Sequence, residues 1–322
     1  MKSFRANTVR RLGALLVAVI ISTAGHASGV DHVVIFGDSL SDNGNLLAQT
    51  GGVFPTNPAY FSGRQTNGLV WGEVLAFDIG ASLSNFAIAG AQTGTTNVWD
   101  NGPFPGGPTY GGLQDQIADY TGGATDPGAL HIVWAGANNF LSIPSDPTAA
   151  VTQAVTDIVN SVGALKVAGI PESKILLINL PDLGLTPRLI DAGLSAQGSF
   201  LTDQFNMGLL GGLGQAGFTD VTVIDSAQIL RDVVADPGAF GFTNWTDACI
   251  DPVDPLGPGS CLTDWMKDPD EYLFWDDIHP TRAGHAIFAD VIRTTAWVPI
   301  PASVWLFGSA LIVLGWVRKR AA

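Results

Sequence analysis

Five short runs rich in β-branched and apolar residues set the strongest limit on what this chain can fold into. They are residues 32–36 (HVVIF), 82–87 (SLSNFA), 130–135 (LHIVWA), 174–180 (KILLINL) and 221–225 (VTVID). The first, third, fourth and fifth are near-continuously apolar, the pattern of strands buried on both faces of a parallel sheet. Helical patterns separate them, most clearly over residues 149–168 and 196–215, and a last one runs over 281–296. Alternating β and α units predict an α/β fold, a three-layer α/β/α sandwich around a mostly parallel sheet of roughly five strands. A chain of 322 residues that is 46% hydrophobic can build such a core as one unit. In sheets of this kind reactive groups collect beyond the carboxyl ends of the strands, which marks the places to search.

Both ends fall outside that pattern. Residues 1–27 carry Lys2, Arg5, Arg10 and Arg11, an apolar run over 12–21, and small residues Gly25 and Ala27 before a cleavage point. That is the layout of a secretory signal peptide, and the apolar run is too short to span a bilayer. Residues 298–322 form a Pro-bounded tail, apolar over 302–317 and closed by Arg318, Lys319 and Arg320. The tail reads as a short membrane-anchoring helix with Trp305 and Trp316 at the interfaces, its basic end cytoplasmic and the body outside. It also resembles the PEP-CTERM sorting tail of Gram-negative surface proteins, with Pro299-Ile300-Pro301 as the box and Ile300 where Glu usually stands. That resemblance implies a transpeptidase-like sorting partner of the exosortase kind; a plain tail anchor is the alternative. The body between the ends is residues 28–297.

Seven of the fifteen Lys and Arg lie in those ends, so in the body 29 acidic residues face 8 basic ones. Such a charge repels nucleic acid and anionic surfaces, which excludes nucleic-acid partners and argues against anionic phospholipid as a target. The two cysteines, Cys249 and Cys261, flank a Pro- and Gly-rich stretch. In an exported chain they are expected to form a disulfide, closing a loop of about 13 residues and contributing roughly 3 kcal/mol in the entropic account. Without a matching cluster of histidines they make a poor zinc site.

Candidate chemistry sits where the strands end. After the first comes GDSLSDNGN, residues 37–45, where Ser39 is either a nucleophile exposed at the rim or a helix cap. Asp42, Asn43 and Asn45 are expected to shape that loop. After the second comes NFAIAGAQTG with Gly90, and after the third GANN with Asn138. Taken singly, each of these reads as a turn residue. Near the C-terminus stands FWDDIHPT, with Asp276, Asp277 and His279, and His285 follows in the last helix. His32 and His131 fall within strands and are expected to be structural. His285 is expected at a surface or a helix-packing position, and His26 belongs to the leader.

In order and position these four blocks resemble the GDSL lipase/esterase family, the SGNH hydrolases, over about residues 30–296. The resemblance implies a flavodoxin-like SGNH fold with Ser39 as nucleophile, His279 as general base and Asp276 as the residue orienting it. It further implies an oxyanion hole built from the N–H groups of Ser39 and Gly90 and the Asn138 amide, with no metal and no cofactor. Asn139 stands where the family usually has Asp and is read as structural. The activity implied is hydrolysis of carboxylic esters through an acyl-enzyme, on lipids, short-chain esters or acetylated polysaccharide, the last being the more specific reading of a matrix-type tail. A non-catalytic surface or matrix-binding protein on the same scaffold is the alternative. The loops over 97–112 and 235–268 are expected to wall the pocket with Trp99, Phe104, Tyr110, Phe240, Phe242 and Trp245.

Overall fold

A computed structural model describes residues 29–56, 58–102 and 109–296. The leader over 1–27, the tail over 298–322 and Phe104 lie outside the described residues. Five strands, β1 (His32–Gly37), β2 (Ser82–Asn85), β3 (Leu130–Trp134), β4 (Ile175–Ile178) and β5 (Thr222–Ile224), form one sheet in the order β2-β1-β3-β4-β5. All four pairings are parallel, with Val34 opposite His131 and Val133 opposite Leu177.

Eight helices among the described residues connect and cover these strands: α1 (Asn45–Gln49), α2 (Trp71–Ile79), α3 (Leu113–Thr121), α4 (Pro147–Val167), α5 (Pro187–Asp191), α6 (Ser195–Gln215), α7 (Ser226–Ala235) and α8 (Arg282–Ala296). Strand side chains alternate between faces, and that period of two builds the layers. Val34, Phe36, Val133 and Leu177 point to one side, where Ile117 of α3, Ile158 and Val162 of α4 and Phe205 and Leu209 of α6 cover them. Val33, Ile35, Ile132, Trp134 and Leu176 point to the other, against Trp71 and Leu75 of α2 and Phe288 and Ile292 of α8. The predicted three-layer sandwich is thus present. Helix starts follow local chemistry: Asp146 accepts the Ala149 N–H at 3.0 Å, with Pro147 at the first helical position of α4.

The fifth run departs from its expectation. β5 is an edge strand whose Thr222 is exposed and Val223 only partly buried, while Ile224 is buried in the layer of α2 and α8. The sequence pattern also did not reveal a second, two-stranded parallel sheet, β6 (Asn244–Ala248) with β7 (Tyr272–Phe274). Its strands are short and irregularly registered, and β6 (NWTDA) is half-exposed without alternation. Cys249 and Cys261 form a disulfide just past β6, with Cα atoms 5.3 Å apart. Among the described residues no helix is long and apolar enough to cross a membrane.

The order 2-1-3-4-5 places a topological switch between β1 and β3, where the connections leave in opposite directions and open a crevice. Ser39 follows β1 and Asn138 follows β3, so both stand at that crevice.

Candidate active site

The Asp38 carbonyl accepts the N–H groups of Ser41 and Asp42, both at 3.0 Å, and this turn presents Ser39 beyond β1. Ser39 does not cap a helix. Asp42 does, its carboxylate accepting the N–H groups of Gly44, Asn45 and Leu46 at 2.7, 2.6 and 3.1 Å. The same carboxylate accepts the Ala89 N–H at 2.8 Å and so fastens the serine turn to the block that contains Gly90. Asn45 strengthens that seam through its amide, which donates to the Asn85 and Ala87 carbonyls at 2.9 Å.

The acid–base stretch leaves β7 as a closed turn. The Trp275 N–H donates to the His279 carbonyl at 2.7 Å, and Phe274 bridges Pro280. Inside the turn, Asp276 Oδ1 accepts the N–H groups of Ile278 and His279 at 2.9 and 2.7 Å. His279 Nδ1 lies 2.9 and 2.8 Å from the two Asp276 carboxylate oxygens, and its Nε2 lies 2.8 Å from Ser39 Oγ. Asp276 is 2% exposed, His279 7% and Ser39 9%, so the chain of bonds is screened from bulk water. Burial opposes the charge on Asp276, but His279 and the surrounding N–H donors outweigh it and hold the carboxyl below the usual range.

Asp277 points elsewhere. Its carboxylate pairs with the Arg188 guanidinium of α5, Nε and Nη2 donating at 2.7 and 3.1 Å. His285 proves fully buried between α8 and α2, where its Nδ1 accepts the Trp71 N–H at 3.4 Å. A surface role for it is excluded, and burial, with His279 nearby, pushes its pKa down to about 3. His131 is buried against the Tyr120 hydroxyl at 2.8 Å, and burial lowers its pKa to about 4. His32 bonds Asp126 and Ser84 at the opposite end of the sheet.

Gly90 sits at φ +85°, and a Cβ there would fall 2.4 Å from Asn97 Oδ1 and 2.5 Å from Trp99, so only glycine fits. Among the described residues no hydrogen bond uses the N–H of Ser39 or of Gly90. Asn138 donates one amide hydrogen to the Ala91 carbonyl at 3.0 Å, which orients the group. Asn139 is tied to Thr93 through both ends of its amide, at 3.1 and 3.0 Å, and serves the loop.

Ser39 and Asn138 line a mostly apolar cavity with Leu183, Leu230, Ile278 and Phe288. Neither Trp99, Tyr110, Phe240, Phe242 nor Trp245 lines it, which corrects the expectation from loop composition. Phe242 instead packs under Leu273 and Phe274, and Tyr110 is buried beside Ile88. The walls come from residues distant in sequence on α7, α8 and the segments after β3 and β4, and no local signal identified them. Two polar residues were also missed: Asp38, which lines the cavity, and Tyr60, whose hydroxyl donates to Asp276 Oδ2 at 2.9 Å across 216 positions of chain. Among the described residues no cluster of three or more His, Cys, Asp or Glu could hold a metal ion.

Burial pushes the Asp38 carboxyl up to about 7, against the pull of the Leu40 N–H and of His279. The folded state then keeps a proton that the unfolded state has lost, so this contribution to stability is present at low pH and fades as pH rises from about 4 to about 7. Asp38→Asn should therefore gain stability relative to the parent between pH 4 and pH 8, by a few kcal/mol. Thermal melts of both proteins at each pH check this, and a constant difference in stability would contradict it.

The sequence model of the family described as GDSL-like lipase/acylhydrolase matches residues 33–292. The chain is 27% identical to phosphatidylcholine-sterol acyltransferase of Aeromonas hydrophila, over 87% of this chain and 94% of that protein. It is 29% identical to esterase EstA of Pseudomonas aeruginosa, over 88% of this chain but only 49% of that protein. Among solved structures, a member of the lipolytic protein G-D-S-L family from Veillonella parvula superposes with a TM-score of 0.46 at 13% identity, covering 82% of this chain and 97% of that one.

Proposed function

Since the chain belongs to the GDSL-like lipase/acylhydrolase family and is a carboxylic ester hydrolase, we propose that it cleaves esters of apolar acyl groups through an acyl-enzyme on Ser39. The observation that carries this reading is the Ser39–His279–Asp276 chain of hydrogen bonds opening into an apolar cavity. His279 Nε2 takes the Ser39 proton as Oγ attacks the ester carbonyl, and Asp276 holds the ring tautomer and stabilises the imidazolium. The N–H groups of Ser39 and Gly90 and the Asn138 amide receive the oxyanion. Collapse expels the alcohol, protonated by His279, and leaves the acyl group on Ser39. Water, activated by the same imidazole, then releases the acid.

The apolar lining favours an apolar acyl group, and the cavity volume of about 30 Å³ bounds its length. Each methylene buried there is worth about 0.8 kcal/mol, so kcat/KM should climb about fourfold per methylene until the cavity is filled. A chromogenic ester series from acetyl to palmitoyl, with Ser39→Ala as control, tests the proposal. Absence of activity at every chain length would sink it and leave the non-catalytic binding protein, and activity that survives the substitution would remove Ser39 as the nucleophile. A maximum at acetyl, with deacetylation of sugar esters, would instead favour polysaccharide as substrate. Asn138→Ala should lower kcat about 100- to 1,000-fold with little change in KM, since one oxyanion donor is lost. Steady-state kinetics with an unchanged kcat would remove Asn138 from the site.

The reaction is proposed to take place outside the cytoplasm, a reading supported by the leader pattern over 1–27 and by the Cys249–Cys261 disulfide. The C-terminal stretch is proposed to retain the protein at a membrane or to be processed by a sorting transpeptidase. Recovery of the chain from the cytoplasm with residues 1–27 intact would contradict export.

A further inference from the structure

The geometry points to Tyr60 as a positioning residue that acts on His279 through Asp276, a role that rests on the ester-hydrolase reading. The two oxygens of the Asp276 carboxylate are held differently. Oδ1 accepts two backbone N–H groups from its own turn, those of Ile278 and His279. Oδ2 lies closer to His279 Nδ1, at 2.8 Å, and its other partner is the Tyr60 hydroxyl at 2.9 Å. The turn therefore fixes one oxygen and Tyr60 fixes the other, which sets the rotation of the carboxylate and with it the plane of the imidazole. Burial and the Asp276 charge both raise the Tyr60 pKa, so its hydroxyl remains a donor.

Tyr60 is itself anchored on both sides. Its ring is buried in a cluster with Ala59, Cys249, Ile250 and Trp275, beside the disulfide. Its segment runs along the acid–base stretch and bonds it at three further points. Trp275 Nε1 donates to the Ala59 carbonyl at 2.8 Å, Thr66 Oγ1 donates to the Pro280 carbonyl at 2.7 Å, and the Arg282 N–H donates to Asn67 Oδ1 at 2.7 Å. Tyr60 does not line the cavity, and its hydroxyl donates to Asp276 on the side away from Ser39's partner His279 Nε2.

A donor on a carboxylate draws charge from it. Without the Tyr60 hydroxyl the charge on Asp276 would be more concentrated beside the ring, the imidazolium would be favoured, and the orientation of the carboxylate would relax. Tyr60→Phe keeps the ring in its cluster and removes only the hydroxyl. It should lower kcat about tenfold with KM unchanged, and move the acid limb of the kcat/KM profile to higher pH.

Thr66→Val serves as the control, because it deletes a hydrogen bond between the same two segments without touching Asp276. It should leave the acid limb where it is in the parent. An unmoved limb in Tyr60→Phe, or an equal displacement in Thr66→Val, would overturn the role and reduce Tyr60 to a structural contact. Both readings use a soluble chromogenic ester and full-length protein, with Ser39→Ala alongside. Hydrolysis that survives Ser39→Ala overturns the acyl-enzyme on Ser39 and the Tyr60 role with it. Hydrolysis that depends on Ser39 but is indifferent to Tyr60→Phe overturns the Tyr60 role alone.

Discussion

Replacing Ser39 by alanine should lower kcat for ester hydrolysis by about 10⁴- to 10⁶-fold, the range seen when a serine nucleophile that acts as a unit with its base is removed. The size follows from what remains. Thr186 supplies a second hydroxyl to the cavity lining, but that hydroxyl donates to the Leu183 carbonyl at 2.7 Å and has no imidazole beside it. Asp38 carries a carboxyl there, but burial favours its neutral form, a poor nucleophile. The fold should be unaffected, because the Ser39 side chain contributes only its contact with His279 Nε2. Burst and steady-state kinetics on a chromogenic ester, together with an unchanged thermal melt, check both halves. Residual turnover within about tenfold of the parent would show that another residue carries the acyl group.

The second large effect separates the adjacent aspartates. Asp276→Asn should depress kcat about 10⁴-fold, because an amide that keeps the backbone bonds of the turn would donate to His279 Nδ1 and place the ring proton on Nε2, facing Ser39. Such a ring cannot accept the serine proton. Asp277→Asn should leave kcat within a few-fold of the parent. Its loss is that of a partly exposed ion pair with Arg188, with side chains 25% and 41% exposed, worth at most about 1 kcal/mol of stability. Parallel kinetics and melts on the two variants decide the matter. A crippled Asp277→Asn beside an active Asp276→Asn would reverse the assignment.

The legibility of this chain in its sequence was uneven, for physical reasons. β1, β3 and β4 were readable because strands buried on both faces must be apolar throughout, and HVVIF, LHIVW and ILLI satisfy that with no help from context. β5 was readable as a strand but not as an edge, since an apolar run does not say whether strands pair with it on both sides. The long helices α4 and α6 announced themselves by period. β6 and β7 did not, because their pairing depends on a partner more than on local pattern. The order of the four polar blocks was also readable, since each follows its own element.

Sequence alone determined the fold class and the set of chemically competent groups: a serine after the first strand, an amide after the third, and two aspartates with a histidine near the end. Spacing alone could not choose between Asp276 and Asp277, because a turn can bring either carboxylate to the ring, and only the family resemblance pointed to Asp276. Tertiary structure supplies the physical reason, setting Asp277 against Arg188 and closing the turn around Asp276. It also decided the cavity wall and the Tyr60 contact. These join residues hundreds of positions apart, and such contacts are fixed by how layers pack; local backbone preference records nothing of them.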